Sequence, residues 1–249
     1  MITVGFNKIF VQSNIALGNH MFQYAICRIV AAKNGYKFHI PYVGNLDKCF
    51  PDIDLGEIDG EVKYQYTDGD SQLYNPSVFN VKDFTNLNGY YQTEKYFIGF
   101  ESNIKSWFGI KMDDRTKYYL DRYPVNEYCY MHIRGGDNKF GNNNWLMPKE
   151  YFTEAMSKID KKFVIVTDDI DLSKEYFPEI DAISDSAIVD FKLLYYSKYC
   201  IISASSFSWW AAWLSDKEIT IAPDRWLNYN KPDDPFFPID IKTDKFVWI

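Results

Sequence analysis

A histidine, an arginine, two glycines and an aspartate close the run Tyr128-Cys129-Tyr130-Met131-His132-Ile133-Arg134-Gly135-Gly136-Asp137. Its apolar and aromatic first half reads as a buried strand, and its charged end as the loop that follows. Arg134 offers a rigid guanidinium fork matched to phosphate oxygens, and Gly135 and Gly136 let backbone approach a ligand closely. Asp137 is near enough in sequence to orient that arginine. Taken alone, the loop reads equally as a surface turn in which arginine and aspartate pair with each other.

Other segments carry the same double reading. Ser205, Ser206 and Ser208 flank Phe207 where a strand turns into a helix. They present hydroxyls and helix amides to a phosphate, or serve as an N-cap. Gly18 and Asn19 open an amphipathic helix in which Leu17, Met21, Ala25 and Ile29 recur every four residues. That turn is an anion site at a positive dipole end, or a plain cap. Asp168 and Asp169 follow a short apolar strand and are base or ribose ligands, or cap the next helix. Trp209, Trp210 and Trp213 read as a packed helix face. Asp52-Ile53-Asp54, Asp68-Gly69-Asp70 and Asp169-Ile170-Asp171 match a metal-type Asp-x-Asp pattern, which a chain with 34 acidic residues produces by chance.

The elements that position these residues follow from the hydropathy pattern. Apolar runs at Ile2 to Phe6 and Ile9 to Val11 supply at least one strand, and the helix from Leu17 ends near Lys33. Tyr36 to Ile40 reads as a strand, Asp47 to Gly69 as irregular, and Gly89 to Phe97 as a strand end entering a helix that continues through Phe108. Lys111 to Arg122 is a polar segment closed by Pro124. Beyond His132 the order becomes regular: a helix from Pro148, a strand at Phe163 to Thr167, a helix, a weak strand near Asp181 to Ile183, and a helix carrying Ile188, Phe191, Leu194 and Tyr195. Cys200 to Ser203 is a strand, Trp209 to Leu214 a helix, and Ile219 to Ala222 the last clear strand. Strands alternating with helices indicate a parallel α/β sheet. Three of its strands end in polar loops, at Arg134, Asp168 and Ser205-Ser206, where open α/β sheets bind ligands. That convergence points to a nucleotide cleft.

Composition bounds the function. The chain has 249 residues, is 47% hydrophobic and carries a net charge of −7, which argues against sequence-independent nucleic-acid binding but leaves an anionic nucleotide ligand open. No stretch is long and apolar enough to span a membrane, and peripheral membrane association is compatible with the sequence. The first residues lack signal-peptide features, and Cys27, Cys49, Cys129 and Cys200 form no C-x-x-C pair. A soluble cytoplasmic protein is the expectation.

Five segments in order resemble one family. Ala16-Leu17-Gly18-Asn19-His20-Met21-Phe22-Gln23-Tyr24-Ala25, His132 to Asp137, and Ser205-Ser206-Phe207-Ser208-Trp209-Trp210-Ala211-Ala212-Trp213-Leu214 resemble motifs of α-1,2-fucosyltransferases, glycosyltransferase family 11. Gly89 to Phe97 and Ile165 to Asp169 resemble two more. The resemblance implies the GT-B type, two facing Rossmann-like domains: 1–125 on the acceptor side with the Gly18-Asn19 turn, and 126–249 binding the GDP-sugar. It implies an inverting, metal-independent transfer of L-fucose from GDP-fucose to a hydroxyl, O2 of a galactose-type residue, of a glycan acceptor. No cofactor is expected beyond the donor itself. His132 then contacts the nucleotide, Arg134 the β-phosphate and Asp137 the arginine. Ser205, Ser206 and Phe207 serve the phosphates, Gly18 and Asn19 close on the pyrophosphate, and Asp168 contributes to the nucleotide site. Arg134, Asp137 and Asn19 are the expected catalytic group.

Two positions depart from the family pattern. Gly135 stands where the family has a second arginine, and His20 where it has glutamine. A charge-assisted hydrogen bond contributes roughly 1.5–3 kcal/mol, so the missing arginine is expected to slow turnover tens- to hundredfold unless a group such as Lys139 compensates. A GDP-sugar or glycan-binding protein that has lost catalysis, and a transferase for another nucleotide sugar, are the alternatives. Acceptor contacts are expected from residues 40–100, and the sequence assigns no general base.

Overall fold

The computed structural model describes residues 1–4, 17–41, 46–69, 73–136, 145–227, 229–230 and 238–249. The chain forms two compact units, residues 1–110 with 238–243, and residues 111–237 with 244–249. Each contains one parallel sheet, so the class is α/β.

The first unit holds β1 (Ile2–Val4), α1 (Leu17–Asn34), β2 (Phe38–His39), the short α2 (Leu46–Cys49), β3 (Tyr64–Thr67), β4 (Thr85–Asn88) and α3 (Glu101–Phe108). Its strands lie in the order β2-β1-β4-β3 with every pair parallel. Thirteen of the 18 residues of α1 are buried, so this is a central helix rather than a surface one. Arg28 is the exception on its apolar body: its guanidinium lies over the rings of Phe38 and Trp107, 4.8 and 4.3 Å from their centroids, and donates to Tyr24 Oη at 2.7 Å.

Three stretches differ from the sequence expectation. Within Asp47 to Gly69, expected to be irregular, β3 forms at the sheet edge. Its residues are mostly exposed, so no apolar alternation marked it. The expected single helix from Gly89 to Phe108 is two pieces, a 3-10 turn at Glu94–Phe97 and α3, because Gly99 between them takes a φ of 82°. The polar Lys111 to Arg122 segment folds as α4 (Asp114–Arg122), capped by Asp113 Oδ1, which accepts from the Thr116 amide at 2.8 Å. Helix α4 packs in the second unit. Arg115 Nε donates to Asp185 at 2.7 Å and Lys192 Nζ to Asp113 at 2.5 Å, which places the division at 110 rather than after this helix at 125. The apolar run at Ile9 to Val11 lies outside the described residues.

The second unit continues with β5 (Tyr128–Ile133), α5 (Lys149–Ser157), β6 (Lys162–Thr167), α6 (Ile170–Tyr176), β7 (Ala182–Ile183), α7 (Ala187–Tyr196), β8 (Tyr199–Ile201), α8 (Ser206–Trp213), β9 (Ile219–Ala222) and the two-residue β10 (Val247–Trp248). The sheet order is β10-β9-β8-β5-β6-β7, all parallel. Counted from β5, the sheet runs 6-5-4-1-2-3, the Rossmann order, with its reversal point between β5 and β8. Ligands of such sheets bind beyond the carboxyl ends of the strands at that reversal. Trp209, Trp210 and Trp213 of α8 are at most 1% exposed and Trp209 stacks on Trp213, so the tryptophans are core. At the far end of α7, half-buried Lys217 donates to the carbonyls of Leu194, Tyr195 and Ser197 and closes the helix terminus.

Candidate functional site

The register of β5 fixes the centre of the site. Ile133 pairs with Thr167, so Arg134 and Asp168 leave neighbouring parallel strands side by side. Arg134 Nη1 meets Asp168 Oδ2 at 2.6 Å, and the other carboxylate oxygen accepts from the Gly135 amide at 2.9 Å. One aspartate thus holds both the guanidinium and the loop backbone. On the opposite side, Ser203 after β8 donates to the His132 carbonyl at 2.7 Å and accepts from the Arg134 amide at 3.1 Å. The reversal point between β5 and β8 is therefore bridged by a serine hydroxyl directly beneath Arg134.

Both glycines of the loop are required by these carboxylates. A Cβ on Gly135 would stand 2.4 Å from Asp169 Cβ, and one on Gly136, at φ 38°, would stand 2.5 Å from Asp168 Oδ2. Asp169 is itself committed to structure: its Oδ1 accepts from the Leu172 amide at 2.9 Å and caps α6. Of the two aspartates weighed as ligands or caps, Asp169 is the cap and Asp168 the partner of Arg134. The second arginine of the family loop has no room here while Asp169 keeps its place.

His132 lies one residue back, 4% exposed, with its ring 5.6 Å from that of Phe207, which in turn meets Phe191 at 5.4 Å. Burial, with the Arg134 charge adding to it, pushes the imidazole down to about 3, so it is neutral at physiological pH. Its Nδ1 is buried without a hydrogen-bond partner. Ser205 occupies the N-cap of α8 but its side chain makes no capping bond, while Ser206 and Phe207 form the first turn and are half-buried. Asp190 of α7 is 8% exposed. Burial pushes its carboxyl up to about 7, and the nearby Asp185 and Asp168 charges add to the shift. One oxygen accepts from the Asp185 amide at 3.1 Å.

In the first unit, Gly18 and Asn19 lie in the first turn of α1. Asn19 Oδ1 accepts from Gln92 Nε2 at 2.7 Å, and Gln23 Nε2 donates to the Gly89 carbonyl at 2.8 Å. These bonds tie the loop after β4 to the helix start. Burial pushes His20 down to about 4, so the residue that replaces glutamine adds no charge.

Within the second unit the structure brings together His132, Arg134, Asp168, Ser205, Ser206 and Phe207 at the carboxyl end of one sheet; Gly18 and Asn19 belong to the first unit. Asp137 and Lys139 lie outside the described residues. Among the metal-type triplets, Asp54 pairs with Arg28 at 3.6 Å and Asp169 caps a helix, while Asp70 is outside the described residues. Sequence reasoning missed Ser203, Asp190 and Gln92. Asp190 had a signal, being the one acid in the otherwise apolar start of α7. Gln92 and Ser203 had none, because their roles depend on which strands become neighbours.

The model for glycosyl transferase family 11 matches residues 62–249. The chain is similar to Alpha-1,2-colitosyltransferase of Escherichia coli, 28% identical over 261 residues that span 85% of this chain and 89% of that protein. It is also similar to the O-antigen biosynthesis glycosyltransferase WbnK of Escherichia coli, 26% identical over 121 residues, 40% of this chain and 39% of that one. Among solved structures, NodZ α-1,6-fucosyltransferase soaked with GDP-fucose gives a TM-score of 0.48 at 15% identity, over 86% of this chain and 92% of that one. POFUT1 in complex with GDP-fucose gives 0.36 at 11%, over 89% and 96%. The family match spans most of the chain and includes the loop and helix start that form the second-unit site. The chain belongs to glycosyl transferase family 11.

Proposed function

We propose that the protein is an inverting glycosyltransferase of the GT-B type that moves L-fucose from GDP-fucose to a hydroxyl of a galactose-type residue without a metal ion. The second unit takes the donor and the first unit handles the acceptor. The observation that carries this reading is Arg134, pinned by Asp168 at the reversal point of a Rossmann-ordered sheet. In a single displacement the acceptor oxygen bonds to the sugar C1 while the C1–O bond to the diphosphate breaks, and negative charge grows on the leaving phosphate. A guanidinium already held in place stabilises that charge without reorganising. The start of α8, with Ser205 at its N-cap and Ser206 in its first turn, adds partial positive charge at the same end of the sheet. Neutral His132, against Phe207, shapes the nucleotide pocket without adding charge to it. Asp137 supports Arg134 in this reading, and Gly18 and Asn19 provide a further anion-binding turn.

A second donor reading has its own support, the similarity to a colitosyltransferase across most of both chains. Colitose is fucose lacking the 3-hydroxyl, so both sugars fit one inverting mechanism, and a site that bonds the 3-hydroxyl separates them by large factors. Four buried free thiols support a cytoplasmic setting. No helix among the described residues is long and apolar enough to cross a membrane.

The test is incubation of the purified protein with GDP-fucose or GDP-colitose, methyl β-galactoside and EDTA, with products identified by mass spectrometry and the linkage by NMR. The expected product is an α-1,2-linked disaccharide from one of the two donors. Tight GDP-sugar binding with no product from either would identify a binding protein on this fold.

A further inference from the structure

The pairing of β5 with β8 runs from Cys129 opposite Tyr199 to Met131 opposite Ile201. One step further along a parallel ladder, Ser203 would stand opposite Ile133, its amide bonded to the His132 carbonyl and its carbonyl to the Arg134 amide. The main chain does not make that step. The Ser203 carbonyl turns into the loop and accepts from the Ser205 amide at 2.7 Å. The Ser203 hydroxyl makes both bonds instead, donating to the His132 carbonyl at 2.7 Å and accepting from the Arg134 amide at 3.1 Å. A side chain thus extends the ladder at the point where the two strands part.

The neighbouring peptide groups of Arg134 are held as well. Thr167, at the end of β6, donates its hydroxyl to the Ile133 carbonyl at 2.8 Å, and Asp168 accepts from the Gly135 amide at 2.9 Å. Ser203 and Thr167 are each 1% exposed, so water does not compete for their bonds. Ser203 differs from the other two in what it joins. Its main chain leads on to Ser205, the N-cap of α8, so it ties the arginine loop to the helix start. The two groups given to the leaving diphosphate, Arg134 and the start of α8, meet at this one hydroxyl.

We propose that Ser203 is a positioning residue for the transfer, fixing the backbone from which Arg134 extends and its placement against the start of α8. This rests on the transferase reading above. In this role Ser203 acts through Arg134 and contacts no substrate. Alanine there takes that partner from the His132 carbonyl and the Arg134 amide, and the loop shifts to find others. A shift of about 1 Å in a group that stabilises developing charge costs on the order of a hundredfold in rate.

The experiment measures GDP affinity by calorimetry, and kcat for transfer to methyl β-galactoside from the donor the wild type accepts. It compares wild type, S203A, S203T, R134A and the double variant S203A/R134A, with melting followed by circular dichroism. S203A should melt within a few degrees of the wild type, bind GDP about fivefold more weakly and lose about tenfold to a hundredfold in kcat. S203T keeps the hydroxyl and should stay within about threefold of the wild type in both affinity and kcat. Because Ser203 acts through Arg134, adding S203A to R134A should weaken GDP binding by less than about twofold. An S203A loss that carries over in full to the R134A background overturns the proposal. So does near-wild-type kcat in S203A, or an S203T as impaired as S203A. A wild type that binds no GDP or forms no product overturns the transferase reading instead, and that control separates the two failures.

Discussion

Arg134 and Asp168 stand one residue beyond the paired strand positions Ile133 and Thr167, and their side chains meet at 2.6 Å. The pairing is a consequence of sheet register, and it makes the guanidinium a fixed rather than a searching charge. Replacing Arg134 with alanine should lower kcat by roughly 100- to 1,000-fold, the loss typical when a preorganised charge-stabilising donor is removed. D168N keeps an acceptor for the Gly135 amide but weakens the hold on Arg134, so a smaller loss, about tenfold to a hundredfold, is expected. Both variants should melt within a few degrees of the wild type, because the pair is not core. Steady-state kinetics with circular dichroism melts checks this, and near-normal turnover by R134A contradicts the role given to it.

Gly135 is a second point of test, because it is where this loop departs from its family. Restoring the arginine brings a Cβ to 2.4 Å from Asp169 Cβ and pushes on the cap of α6. G135R should therefore lose about 1 kcal/mol or more of stability, the usual cost of a lost cap with added strain, and gain no turnover. Urea denaturation and the transfer assay read the two effects. An equally stable G135R with faster turnover would show that the loop has room for the second cation.

Asp190 makes stability depend on pH. Its folded pKa is raised to about 7 from an ordinary aspartate value, so between about pH 4 and 7 the folded chain keeps a proton that the unfolded chain has released. Stability contributed in acid is lost as pH rises through that window, by an amount on the order of a few kcal/mol. D190N keeps an oxygen for the Asp185 amide and has no charge to bury. It should be clearly more stable than the wild type at pH 8, with the gap narrowing towards pH 5, as followed by urea denaturation at each pH. A constant gap, or a less stable D190N at pH 8, contradicts the assignment.

The sequence was most readable where local pattern and topology agree. The run from Tyr128, the apolar Phe163 to Thr167 and the Cys200 to Ser203 segment announced three parallel strands, and their polar ends at Arg134, Asp168 and Ser205 fall at one end of one sheet. Edge and amphipathic elements were harder. β3 is solvent-facing on most residues, and α4 is polar because its anchors are Arg115, Tyr119 and Asp113 rather than an apolar stripe. Partner identity was hardest. Asp168 lies 34 positions from Arg134 in the chain, and no spacing rule names it as the carboxylate on that guanidinium. The same holds for Ser203 beneath the loop, where strand neighbours decide which side chains meet.

Calorimetric titration of the wild type and R134A with GDP, UDP and ADP in EDTA tests the central claim most directly. The account predicts that the wild type binds GDP in preference to both other diphosphates without any metal, and that R134A binds it at least tenfold more weakly. Equal affinity for all three nucleotides, a requirement for a divalent cation, or unchanged GDP binding by R134A would contradict it.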